Sequence, residues 1–147
     1  MDLESRLRLE RDIQPVEEFL SSTGGAVHRR DQDPDGLYWV VLQPRNRERS
    51  PFTARVCWTV YPSRPPSLLF APAIGQPTNV RSAWPDAPGY RAQQNDVCKP
   101  FTAEGQALHK AEWATGPHAW RGTGNPFLYV IETVQSDIDR VDGKRSA

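Results

Sequence analysis

The sequence predicts an α+β domain: an N-terminal helix and a C-terminal crossing helix packed on a four-stranded antiparallel meander. Three observations predict it. Leu9, Ile13, Val16 and Leu20 recur at steps of four, three and four, which is one face of an amphipathic helix. Between residues 26 and 70 the period becomes that of strands, with an apolar run at Leu37–Leu42 and alternation from Phe52 to Val60. Helical spacing returns after Asn125-Pro126. The 147 residues make one domain, and a chain of that length can bury about 68–70% of the surface its unfolded form exposes.

The first helix, over 1–22, sets Glu4, Glu10, Asp12, Glu17 and Glu18 among Arg6, Arg8 and Arg11 on its remaining face. Pro15 removes a backbone donor, so the segment is one kinked helix or two short ones, and Gly24-Gly25 ends it. A weak first strand follows at Ala26 to Asp31. Asp33-Pro34-Asp35-Gly36 is turn chemistry, and Leu37–Leu42 is the aromatic, β-branched composition a strand prefers. In the third strand Phe52, Ala54, Val56, Trp58 and Val60 alternate with Thr53, Arg55, Cys57 and Thr59. Ser67 to Phe70 is the fourth, and the hairpin-like connections make the sheet antiparallel. Tyr61-Pro62-Ser63-Arg64-Pro65-Pro66, between the third and fourth strands, is a rigid corner, because each proline fixes φ and extends the residue before it. The Tyr61–Pro62 bond is a candidate cis peptide.

From Ala71 to Pro126, seven prolines and six glycines break any period, while Trp84, Tyr90, Phe101, Trp113 and Trp120 supply apolar anchors. Stretches longer than about 12–15 residues without regular structure are usually functional or disordered, and the aromatics argue against disorder. An ordered loop over 71–125 is therefore the expected seat of function. Asn125 caps and Pro126 begins the last helix, over 126–141, with Phe127, Ile131, Val134 and Ile138 on one face. The polar tail, 142–147, is expected to fray.

Charge narrows the function. Eighteen basic and eighteen acidic residues cancel, which counts against nucleic-acid binding by bulk charge and against a polybasic membrane anchor. No apolar run reaches the ~20 residues of a membrane span, and the charged N-terminus is no secretory signal. Two cysteines do not make a disulfide scaffold, so a cytoplasmic protein is expected. Arginine outnumbers lysine 15 to 3, a compositional hint of a bacterial source.

Cys98, in Asn95-Asp96-Val97-Cys98-Lys99-Pro100, is the candidate nucleophile. A reactive cysteine must be partly exposed and reach its thiolate form, which Lys99 favours and Asp96 opposes. Cys57, on a central strand, fits a small buried hydrophobe, and a thiol reagent should label mainly Cys98. His109 and His118 follow Cys98 by 11 and 20 residues and suit a thiol–imidazole pair. A zinc site is disfavoured, since one cysteine with this spacing matches no standard ligand set, and no metal or organic cofactor is expected. His28, on the first strand, reads as structural.

The order of parts resembles the ubiquitin-conjugating enzyme family. Asp35-Gly36-Leu37-Tyr38-Trp39 resembles its second strand, Ser50-Pro51-Phe52 its third, and Tyr61 to Pro66 followed by Phe70 its Tyr-Pro-x-x-Pro-Pro corner. Asn95-Asp96-Val97-Cys98 is similar to the approach to the catalytic cysteine, Trp113 to the tryptophan after it, and Val130 to Ile138 to the next helix. The resemblance runs from about Leu3 to Arg140 and is patchy in the loop. The family's His-Pro-Asn motif is missing, with Gln76-Pro77-Thr78-Asn79 a degraded echo too far ahead of Cys98. The family's last two helices are absent as well. These departures are similar to divergent bacterial members found in antiviral defence operons with an activating enzyme, a ubiquitin-like protein and a deconjugating metallopeptidase.

The resemblance implies an acyltransferase. Cys98 would take the C-terminal carboxyl of a ubiquitin-like protein from an activating enzyme and pass it to an amine. The same resemblance offers Asn79 or Asn95 as oxyanion donor, Asp96 to orient the amine, and His109 or His118 as base. A catalytically inactive binding module of the same fold and a Cys-His hydrolase are the alternatives. Nucleic acid and membrane are not expected partners.

Overall fold

The computed structural model describes all 147 residues. Helix α1 spans Leu3–Thr23 without interruption. The Asp2 carboxylate caps it by accepting from Ser5 N–H at 2.8 Å. Gly24 closes it at φ +89°, left-handed backbone that an L side chain resists. The helix runs through Pro15 as one piece. In the turn before it, the Asp12 carbonyl gains an outside donor, Asn125 Nδ2 at 2.9 Å. Leu9, Val16 and Leu20 form the buried stripe that the spacing predicts.

Strands β1 (Ala26–His28), β2 (Leu37–Leu42), β3 (Phe52–Cys57) and β4 (Ser67–Ala71) form one antiparallel sheet in chain order. The expected meander is present, with two shifted ends. β1 stops at His28, whose side chain is exposed, so a structural role for that histidine finds no packing behind it. β3 stops at Cys57 rather than Val60, because Trp58 N–H turns to the Gly36 carbonyl at 2.8 Å and its ring enters the core.

The inner face of the sheet is set by register. Val40, Ala54 and Phe70 lie side by side across β2, β3 and β4, and all three are fully buried. Against them packs helix α3, Pro126–Arg140. The Asn125 side chain accepts from Leu128 N–H at 3.0 Å, and Pro126 occupies the first turn, where no donor is needed. Phe127, Val130, Ile131, Val134 and Ile138 are wholly buried, each stabilising the fold by about 1.5–3 kcal/mol of transfer free energy.

The outer face is also partly covered. Leu37, Trp39 and Ala71 are buried there, with Cys57 and Ile74 packed beside them. Asp33 closes one end: Arg30 donates to both carboxylate oxygens at 2.8 Å, and the Trp39 indole N–H donates at 2.9 Å. First the Arg30 hydrogen bonds and then the Trp39 bond hold the Asp33 carboxyl at about 2, below its ordinary 3.8. A carboxyl lowered on folding stabilises the protein above its unfolded value and loses that contribution as pH falls through its folded value. The melting temperature is therefore expected to fall more steeply between pH 4 and pH 2 in the wild type than in Asp33→Asn. Parallel melting curves for the two proteins would contradict this account.

The proline corner joins three elements. Its Tyr61–Pro62 bond is cis, as expected from the sequence. Tyr61 N–H donates to Ser5 Oγ, and Tyr61 Oη donates to the buried Asp12 carboxylate of α1 while accepting from Phe127 N–H of α3. Burial first, and then the bond to Asp12, raises the Tyr61 hydroxyl far above its ordinary value.

The tail is not frayed. Arg145 lies 4.1 Å over the Phe52 ring, its guanidinium donates to the carbonyls of Ser50, Pro51 and Ser82, and its backbone bridges Pro85. Ser146 N–H donates to the Trp84 carbonyl at 3.0 Å. A tail of polar residues reads as solvated, but here a cation stacked on an aromatic ring fastens it. No helix is long and apolar enough to cross a membrane.

Candidate functional site

The segment 71–125 is ordered, as expected, but it is not devoid of regular structure. A 3₁₀ turn covers Arg81–Ala83, strands β5 (Tyr90–Arg91) and β6 (Asp96–Val97) form a hairpin, and helix α2 spans Ala103–Leu108. Trp84 docks the segment on the sheet: its fully buried ring lies 5.4 Å from that of Phe70, and its indole N–H donates to the Thr78 carbonyl at 2.8 Å.

The β5–β6 hairpin carries Cys98. Asn95 makes its turn at φ +55°, a conformation asparagine tolerates better than most residues. Across the hairpin, Arg91 and Asp96 form a two-pronged ion pair with both bonds at 2.7 Å. Val97 anchors the far strand in the core. Immediately beyond it, Cys98 N–H donates to the Gly89 carbonyl at 2.7 Å, which fixes the backbone under the thiol.

Helix α2 presses on the same backbone from the other side. Thr102 caps it, accepting from Gly105 N–H while its hydroxyl reaches back to the carbonyls of Val97 and Lys99. Gly105 lies flat against Lys99: a Cβ there would stand 2.1 Å from the Lys99 carbonyl oxygen and 2.6 Å from its nitrogen. At the sheet edge Glu104 accepts from Leu68 N–H at 3.3 Å, and Ala103 N–H donates to the Pro66 carbonyl at 2.8 Å.

Cys98 is partly exposed, as a working nucleophile requires, and no hydrogen bond joins its sulfur to another side chain. Cys57 is also only half-buried, on the outer face of the sheet, instead of enclosed as expected. It ends strand β3 and packs beside Leu37, Trp39 and Ala71. Burial still pushes its thiol up, so it ionises less readily than a free thiol.

The charges beside Cys98 differ from the sequence expectation. Asp96 is neutralised by Arg91. The bonds to Asp96 in turn raise the Arg91 guanidinium. Lys99, expected to stabilise that thiolate, instead runs to Asp137 of α3 at 3.8 Å, passing the face of Tyr90 at 5.8 Å.

None of the other expected site residues hydrogen-bonds to the sulfur. His109 stacks on Trp113 at 4.1 Å and turns Nδ1 towards Glu112 at 3.4 Å. His118 is exposed, its ring tilted and 5.7 Å from that of Trp113. Trp113 thus gathers the two histidines, and neither forms the expected hydrogen-bonded pair with Cys98. Asn79 and Asn95 are both exposed, with no hydrogen bond from either side-chain amide. Asp96 and Asn95 share the hairpin with Cys98, but Asp96 is turned to Arg91. No group of three or more His, Cys, Asp or Glu side chains stands together as a metal site.

A cavity of 480 Å³ opens two residues beyond Cys98, lined by Pro100, Phe101, His118, Trp120, Leu128 and Tyr129 among others. Its floor is held by Trp120, whose indole N–H donates to the Pro62 carbonyl at 2.9 Å, and by Gln106, which bridges the carbonyls of Pro100 and His118. Sequence reasoning missed Arg91, Tyr90 and Asp137. A signal existed for the last: Asp137 interrupts the apolar face of α3 between Val134 and Ile138 and is only 8% exposed. The chain matches no protein-family model, and no curated protein and no solved structure matches it.

Proposed function

We propose that the chain is a divergent conjugating enzyme of the ubiquitin-conjugating type, with Cys98 as the carrier of a ubiquitin-like protein. The observation that supports it most is the presentation of Cys98: a partly exposed thiol on a backbone clamped by the Gly89 carbonyl, between a proline-cornered sheet and a crossing helix. The Cys98 thiolate attacks the carbonyl carbon of the modifier's thioester on an activating enzyme. The tetrahedral adduct expels that enzyme's thiolate and leaves the modifier on Cys98. An acceptor amine then attacks the same carbon, loses its proton to solvent or base, and releases the Cys98 thiolate. Because a thioester is already activated, positioning contributes most of what such a site needs. The nearby 480 Å³ cavity offers room for a flexible tail. A bacterial operon with an activating enzyme, the modifier and a deconjugating metallopeptidase is the setting that reading implies.

The lack of a hydrogen-bonded imidazole or amide at the Cys98 sulfur favours a second reading, a non-catalytic module that binds a ubiquitin-like protein. One experiment separates them. With the activating enzyme, ATP and the modifier, the wild type and Cys57→Ala are expected to form an adduct that thiol reductants remove, whereas Cys98→Ala forms none. An adduct that survives in Cys98→Ala, or none in the wild type despite charged activating enzyme, overturns the conjugating reading.

A further inference from the structure

We infer that Asp137 of α3 is a positioning residue for Cys98, holding the neighbouring Lys99 ammonium and, through Tyr90, the hairpin that presents the sulfur. Three contacts meet at this one carboxylate. Tyr90 Oη donates to Oδ2 at 2.8 Å, Lys99 Nζ stands 3.8 Å from the same oxygen, and Arg140 Nη1 stands 3.6 Å from Oδ1. Arg140 is largely exposed and solvent weakens its share, whereas Tyr90 and Asp137 are enclosed. Burial first, and then the Asp137 charge, holds the Tyr90 hydroxyl protonated well above its ordinary value, so it remains a donor to Asp137.

The path of Lys99 depends on a glycine. Its side chain crosses Gly89, where a Cβ would stand 2.8 Å from Lys99 Cε and 3.0 Å from the Cys98 carbonyl oxygen, and Gly89 itself lies at φ +86°. Gly89 also accepts from Cys98 N–H. The two residues of β5's entry, Gly89 and Tyr90, and the two that leave β6, Cys98 and Lys99, are thus drawn together and tied to α3 at one point.

The consequence is electrostatic. Around Cys98 both hairpin cations have carboxylate partners, Arg91 with Asp96 and Lys99 with Asp137. On α2, Glu104 is turned to Leu68 N–H. Releasing Lys99 would place an unpartnered ammonium one residue from the thiol, and a nearby cation favours thiolate. A more acidic thiol is also a better leaving group, so a thioester held on it is lost faster. The bearing on acyl transfer rests on Cys98 being the carrier; the charge arrangement itself does not.

The test measures alkylation of Cys98 by iodoacetamide against pH in a Cys57→Ala background, where thiolate displaces iodide to give a thioether. No partner protein is needed, so its outcome is independent of the conjugation assay. Lys99→Gln is expected to react within about twofold of its parent at every pH, because Lys99 already serves Asp137. Asp137→Asn keeps the shape of the side chain and is expected to move the profile to lower pH. Below the midpoint the rate gain is about threefold per pH unit moved, since thiolate fraction rises tenfold while nucleophilicity falls. Adding Lys99→Gln to Asp137→Asn should remove that gain. An unshifted Asp137→Asn profile, or a gain that persists in the double variant, overturns the inference. If Asp137→Asn does not fold, Lys99→Gln decides alone: a slowing of about tenfold would show that Lys99 serves the thiolate instead.

Discussion

Replacing Trp84 by alanine is expected to destabilise the fold by about 3–5 kcal/mol, the cost of deleting a large buried aromatic and leaving a partly collapsed void. The ring is wholly buried against Phe70, its indole holds the Thr78 carbonyl, and its own carbonyl receives Ser146 N–H from the tail. Chemical denaturation of wild type and variant measures the difference directly. A loss below about 1 kcal/mol, the size expected for an aromatic merely resting on a surface, would show that the segment after β4 is not part of the cooperative unit. Protease susceptibility should rise over 72–85, the segment that this side chain docks on the sheet, more than at the C-terminal residues, which Arg145 holds independently.

Gly105→Ala should destabilise by up to about 2 kcal/mol although alanine is the better helix former. Two effects oppose each other here. Alanine gains about 1 kcal/mol over glycine within a helix, and overpacking of a tight site costs about 1–3 kcal/mol. The second wins because the atoms in the way are backbone: Lys99 O, N and C would lie 2.1, 2.6 and 2.8 Å from the new carbon. No rotamer change relieves that overlap, so α2 must move off the backbone that follows Cys98. The variant should therefore show two changes at once, a lower denaturation midpoint and an altered rate of Cys98 alkylation. Unchanged stability with an unchanged rate would mean that α2 does not brace the hairpin.

The long, regular elements were legible in the sequence because each carries its own period. Leu37–Leu42 is a strand by composition, and Asn125-Pro126 starts a helix by capping chemistry that needs only neighbours. The elements that were missed are short. β5 and β6 have two residues each and α2 has six, too few for either period to develop, and tertiary contacts hold them. Thr102 caps α2 through the hairpin it follows, and Val97 is placed by the core rather than by alternation. The tail failed for a similar reason, since Arg145 finds Ser50 and Pro51 some ninety residues away.

The site was legible by residue type and not by pairing. Cys98 stood out as a cysteine amid loop polarity, and its partial exposure agrees with that reading. The partner of Lys99 was not readable, because Asp137 comes from a helix 38 positions further on, and its place on that helix's apolar face does not say which cation it meets. The histidines misled for a physical reason: both pack against Trp113, His109 stacked on its ring and His118 tilted beside it, and neither bonds the thiol.

The engagement of β4 by α2 bears on self-association. Through Glu104 and Ala103, that helix occupies polar groups along the rim of the fourth strand and the residue preceding it, which a foreign strand would otherwise use as a template. The opposite rim belongs to β1, only three residues long. A foreign strand adding beside β4 would first have to displace Glu104 and Ala103, and one adding beside β1 would find only three residues to pair with.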